Sequence, residues 1–180
     1  MKTVILVNGI PASGKSTLAH LIANTFNFPY LSIDTIKEPF MDMHETITRE
    51  YNRELGKAAY KVIWDTVTQA PENCIYVIDA WFGFQPKELL QYYLEMANVD
   101  NIIEIWNQIS PELVVKRYQE RLTQRKKGHP SADYLPELAE LATKAKPMYG
   151  AQSYVVSQDE LLDGEQLLKW IEDFIPHASF

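Results

Sequence analysis

Gly9-Ile10-Pro11-Ala12-Ser13-Gly14-Lys15-Ser16 matches G-x-x-x-x-G-K-[ST] at every defined position. Those residue types ask for one kind of ligand. The glycines let the backbone bend so that successive N–H groups converge on phosphate oxygens, and a helix starting behind them adds the positive end of its dipole. A lysine at this point gives a compact positive charge to β- and γ-phosphates, and the serine hydroxyl can ligate Mg²⁺. The pattern predicts that Gly9, Pro11, Ala12, Ser13, Gly14, Lys15, Ser16 and Thr17 hold a nucleoside triphosphate.

Other candidates lie downstream. Asp34 closes the apolar run 28–33. A carboxylate at the carboxyl end of a strand sits where open α/β sheets bind ligands and can orient an incoming hydroxyl. The alternative is helix capping, because Thr35-x-x-Glu38 has the form of a capping box. Asp79 closes the run 74–78 and is either a second Mg²⁺ holder, through water, or a polar strand terminus. Trp81 and Phe82 follow it and could line an acceptor pocket or belong to the core. Arg117, Arg121 and Arg125 recur every four residues, one stripe of a helix. His129, His44 and Cys74 form no ligand or nucleophile constellation in the sequence, so no structural metal site is expected.

Short apolar runs at 2–7, 28–33, 74–78, 101–106 and 154–156 read as buried strands, each bounded by turn signals. Between them, apolar spacing of 3 and 4 predicts helices over 16–26, 46–70, 86–97, 110–127, 134–146 and 165–175. Ser110-Pro111 is a helix start with its cap, and Gly128-His129-Pro130 a stop. Strands alternating with helices imply an α/β fold with a five-stranded parallel sheet, helices on both faces, and one domain over 1–180.

The composition agrees. A chain of 180 residues with 46% hydrophobic and 23% charged residues is globular and of single-domain size. One cysteine permits no internal disulfide and no apolar run reaches about 20 residues, so a cytoplasmic location and no membrane partner are expected. The net charge of −7 disfavours nucleic acid as a partner. Residues 116–127 carry six bases and one acid. No guanine-reading [NT]-K-x-D or switch-type D-x-x-G occurs, which excludes a GTPase.

In these motifs the sequence resembles small P-loop kinases grouped around chloramphenicol phosphotransferase, zeta-type toxins and polynucleotide 5′-kinases. The resemblance rests on residues 9–17, Ser32-Ile33-Asp34-Thr35-Ile36, 75–79, Ser110-Pro111-Glu112 and the arginines behind it. It implies a P-loop NTPase fold with a helical lid over about 117–134, and ATP with Mg²⁺ as cofactors. By the same resemblance Asp34 accepts the substrate hydroxyl's proton and Asp79 also touches substrate. Arg121 and Arg125 then close on the transferred phosphate, and Ser157-Gln158-Asp159 packs on adenine. Asp34, Glu38, Asp42 and Glu45 against Lys37 alone point to a neutral or cationic hydroxylated acceptor. A polynucleotide 5′-hydroxyl kinase and a nucleotide-binding regulatory module without transfer chemistry are the alternatives. The oligomeric state is left open.

Overall fold

The computed structural model describes residues 1–175. Its strands are β1 (Lys2–Asn8), β2 (Tyr30–Ser32), β3 (Ile75–Ala80), β4 (Val99–Gln108) and β5 (Tyr154–Ser157). They form one parallel sheet in the order β2-β3-β1-β4-β5. The helices are α1 (Lys15–Phe26), α2 (Ile33–Met41), α3 (Arg49–Gln69), α4 (Lys87–Met96), α5 (Pro111–Arg121), α6 (Leu135–Lys144) and α7 (Gly164–Phe174).

All seven residues of β1 are buried, because helices cover both faces of a parallel sheet and no side needs to be polar. On one face Val4, Leu6 and Ile78 meet Tyr60, Ile63 and Trp64 of α3 and Leu90 and Leu94 of α4. On the other, Ile5, Val7 and Ile105 meet Leu18 and Ile22 of α1 and Leu167 and Ile171 of α7. A third cluster lies beyond these, where Ile10, Trp106 and Ile109 hold Val114 and Tyr118 of α5 and Leu138 of α6. Leu, Ile and Val side chains of this kind stabilise by about 1.5–3 kcal/mol each when fully buried. No described helix is long and apolar enough to cross a membrane.

One buried carboxylate ties the sheet to the chain before β5. Glu104, 1% exposed, accepts from Asn8 Nδ2 (2.8 Å) and from the amides of Met148 (2.9 Å) and Tyr149 (2.8 Å). Ser153 Oγ is its fourth donor. Asn8 in turn accepts from the Phe82 amide through Oδ1, so the end of β1 is fixed to the end of β3.

Two expectations fail near the site. The second strand stops at Ser32 and a helix begins at Ile33, with Ser32 as an N-cap whose side chain makes no capping bond. Thr35 and Glu38 therefore lie inside α2 and form no capping box. Pro39 within α2 hides the helix from a reading of spacing, since proline signals a stop. The helix expected over 110–127 ends at Arg121. Tyr118 Oη donates to the Pro130 carbonyl (2.7 Å) and draws the following loop back over α5. Gly128 is thus no helix stop. Its φ of +91° seats it against Met41 and Ile47, where an added Cβ would lie 2.6 Å from Ile47 Cβ.

Candidate active site

The loop between β1 and α1 is shaped as the sequence demands. Ala12 (φ +63°) and Gly14 (φ +84°) turn the chain left-handed, the Ser13 amide donates to the Ile10 carbonyl (3.2 Å), and α1 starts at Lys15. An added Cβ on Gly14 would meet Gln158 Oε1 at 2.5 Å. No acidic residue occupies the first turn of α1, so the positive end of that helix is uncompensated and open to an anion. Ser16 and Thr17 are exposed at its opening. Ser13 Oγ is buried without a hydrogen-bond partner.

Asp79 stands in β3 level with Val7 of β1 and Ser32 of β2, beside the start of the loop. It is 3% exposed. Its Oδ2 accepts from Tyr30 Oη at 2.8 Å, while Oδ1 has no partner. Burial, and then the negative charge of Asp79, push the Tyr30 phenol well above its ordinary pKa, so it remains a donor. A buried oxygen without a donor is costly, and its free lone pairs fit a cation or a cation's water as partner. Ser16 Oγ and Asp79 together offer the hard oxygen donors that Mg²⁺ takes.

Asp34 opens the first turn of α2, and its side chain is 52% exposed, open to a ligand. It pairs with Lys37 at 3.0 Å. Burial acts to raise its pKa, but Lys37, Lys15 and His129 outweigh it and leave the carboxyl below its ordinary value. Lys37 also donates to Asn52 Oδ1 of α3 (3.2 Å). One turn along the inward face of α3 is Gly56, buried in the helix interior, yet an added Cβ there meets nothing within 4 Å. Beside Asn52 the arm thus leaves an unfilled space.

The acidic segment is less acidic than its composition. Asp34 faces Lys37, Asp42 faces Lys126 (2.6 Å), and Glu38 meets both His129 (3.0 Å) and Lys126 (4.0 Å). These pairings remove the charge argument for a neutral or cationic acceptor. They also set His129 beside Asp34 and Glu38 in one cluster.

The arginines do not share one stripe. Arg117, half-buried, donates to Gln158 Oε1 (2.9 Å), and its Nη1 would lie 3.2 Å from a Cβ on Gly14, so this is the arginine beside the phosphate loop. Arg121 is exposed at the end of α5. Arg125 lies beyond the helix, with its guanidinium 4.6 Å above the Tyr118 ring. Spacing puts Arg117 in the same repeat as Arg121 and Arg125, and it is the resemblance that favours the latter two over it. Trp81 is half-buried and folds over the turn behind β3, its Nε1 2.7 Å from where a Cβ on Gly83 would stand. Phe82 is fully buried in the core and cannot line an acceptor pocket. Asp159 accepts from the Ser110 amide (2.8 Å) and fixes the start of α5.

No protein-family model and no curated protein matches the chain. Solved structures do. A protein described as a "putative kinase" from Chloroflexus aurantiacus superposes with a TM-score of 0.83 at 24% identity, over 97% of this chain and 99% of that one. A gluconokinase from Sinorhizobium meliloti 1021 gives 0.61 at 15%, over 97% and 93%. A shikimate kinase from Bacteroides thetaiotaomicron gives 0.54 at 18%, over 95% and 96%. The chain has the fold of these kinases. At such identities the likeness carries the architecture, and the chemistry must be argued from the residues. Chloramphenicol phosphotransferase, zeta-type toxins and polynucleotide kinases are not among these neighbours.

Proposed function

We propose that this chain is an ATP- and Mg²⁺-dependent phosphotransferase that moves a γ-phosphate to a hydroxyl of a small molecule, such as a sugar, amino sugar, nucleoside or antibiotic. One observation carries the reading. Asp34 follows directly on the carboxyl end of β2, half exposed, at the same end of the sheet as Asp79 and the start of the phosphate loop, where an acceptor has to stand for transfer from a bound triphosphate.

The loop amides and Lys15 bind the phosphates, and the open helix end offsets their charge. Ser16 and Asp79 would hold Mg²⁺, which when bound supplies positive charge to the phosphate oxygens. Asp34 orients the acceptor hydroxyl and takes up its proton as the oxygen bonds to the γ-phosphorus and the bond from that phosphorus to the bridging oxygen breaks, releasing ADP. Arg117, beside Gly14, and Arg125, held over the Tyr118 ring, contribute the remaining cations.

The test is ATP consumption with Mg²⁺ over a panel of hydroxylated metabolites, nucleosides, aminoglycosides and 5′-hydroxyl oligonucleotides, with products read by mass spectrometry. Wild type is run beside Asp34→Asn. An acceptor that gains one phosphate, and loses it in the variant, supports the reading. Slow hydrolysis equal in both proteins overturns it, and transfer to oligonucleotides alone selects the polynucleotide kinase instead.

A further inference from the structure

The loop after α5 is fastened to the arm formed by α2 and α3 at three points. Asn52 Nδ2 donates to the Gly128 carbonyl (2.6 Å), the Lys126 ammonium meets Asp42 (2.6 Å), and His129 Nε2 meets Glu38 Oε1 (3.0 Å). The second imidazole nitrogen is also engaged, because Nδ1 lies 3.3 Å from Nη2 of Arg125. A guanidinium can only donate, so Nδ1 must accept. The ring proton then sits on Nε2 and is donated to Glu38. This is a neutral imidazole with both nitrogens in use.

That assignment decides what the cluster is. Oxygen and nitrogen atoms of Asp34, Glu38 and His129 lie within 4.8 Å of one another, the spacing of a cation site. The Nδ1 lone pair is taken by Arg125 and Nε2 carries a proton, which leaves His129 no pair to give a metal. The cluster is a hydrogen-bond relay, Arg125 to His129 to Glu38, that joins the lid to the acceptor arm.

We propose that His129 is a positioning residue that holds the Arg125 guanidinium in place through Nδ1 and releases it on protonation. Its importance to turnover rests on the phosphotransfer reading; the linkage itself does not. The charged groups facing the ring are Asp34, Lys37 and Glu38 from α2 and Arg125 from the lid, with Lys126 4.0 Å from the far oxygen of Glu38. Burial favours the neutral ring, and Arg125 and Lys37 add to it against Asp34 and Glu38. The balance lies below the ordinary histidine value. Acidification puts a proton on Nδ1, so two donors and two cations then face each other and the Arg125 contact breaks. The Glu38 contact gains charge, and the loop stays fastened while the arginine leaves.

NMR on the full chain tests this without an acceptor. The His129 ring C–H and the Arg125 Nε–H resonances are followed as pH is lowered from neutral. The expected result is one shared midpoint, below the ordinary histidine range, and an Arg125 resonance that no longer titrates in His129→Asn. An Arg125 resonance indifferent to the imidazole, or titrating identically in His129→Asn, overturns the proposal. With a phosphorylated acceptor in hand, kcat falls with the same midpoint in wild type and loses that acid limb in His129→Asn. Loss of the contact costs about 5–10-fold in kcat, the worth of one hydrogen bond, with KM for ATP changed less. Failure of every acceptor removes the kinase reading and leaves the resonances to decide on His129.

Discussion

Tyr30 Oη and Asp79 Oδ2 lie 2.8 Å apart, a contact that locks one oxygen of a buried carboxylate and leaves Oδ1 unpartnered. The phenol therefore acts as a rotational stop. Its ring is itself stacked, tilted, on His20, with centroids 4.2 Å apart.

Tyr30→Phe keeps the ring and removes the stop. A hydrogen bond to a charged group contributes about 1.5–3 kcal/mol. The Mg²⁺ concentration needed for half-maximal ATP turnover should rise about tenfold, and the thermal midpoint should fall as well, because the buried carboxylate then has no donor on either oxygen. A Mg²⁺ titration of wild type and variant checks it, and unchanged Mg²⁺ dependence would remove Asp79 from cation binding.

Asp34 has a pKa below the ordinary carboxylate value, set by Lys37, Lys15 and His129 against burial. A depressed acid adds stability above its unfolded pKa, and that contribution is lost as pH falls through the folded value. Asp34 should thus stay ionised through mildly acid conditions, and any loss of turnover there belongs to another group. In thermal denaturation, Asp34→Asn should flatten the decline in stability below the ordinary aspartate range.

Gly56 is buried in mid-helix with open space where a side chain would go. Glycine there costs about 1 kcal/mol relative to alanine. Gly56→Ala should raise the thermal midpoint by about 2–4 °C, the shift for 1 kcal/mol in a chain of this size. Gly56→Leu should fill the space and raise KM for the acceptor while KM for ATP stays constant. Equal acceptor KM in all three proteins would mean that the space serves no ligand.

Glu104 receives four donors in the interior. Glu104→Ala leaves four neutral donors unpaired and should be strongly destabilising, since each unsatisfied buried donor costs about 1–3 kcal/mol. Chemical denaturation at equilibrium reads this directly. Because Asn8 also loses its anchor at the end of β1, nucleotide affinity should fall together with stability.

Sheet class and phosphate loop are legible in the sequence because each is local. Apolar runs of strand length and a contiguous eight-residue pattern need no knowledge of what lies opposite. What escapes depends on distant partners. His129 reads as part of a stop signal, and only the return of the loop over α5 brings it to Glu38, 91 positions away. The acids of α2 look like a negative surface until Lys37, Lys126 and His129 are set beside them. Arg125 fits a helical repeat that the chain abandons at Arg121, because the Tyr118–Pro130 contact outweighs four more residues of helix. Phe82 offers the same aromatic type to core or pocket, and its place under α3 decides for the core.

Both helices flanking the loop 122–131 are rooted in one cluster, Val114 and Tyr118 from α5 and Leu138 from α6 packing on Ile10, Trp106 and Ile109. The flap thus has two fixed feet, and only the ten residues between Arg121 and Ala132 are left to arch. Even fully drawn out, ten residues span about 35 Å, and an arch that rises and returns clears less than half of that. Whatever is enclosed beneath it must be compact. On the phosphotransfer reading, such an arch would close over a metabolite, while a folded protein or a duplex would offer it only a protruding end.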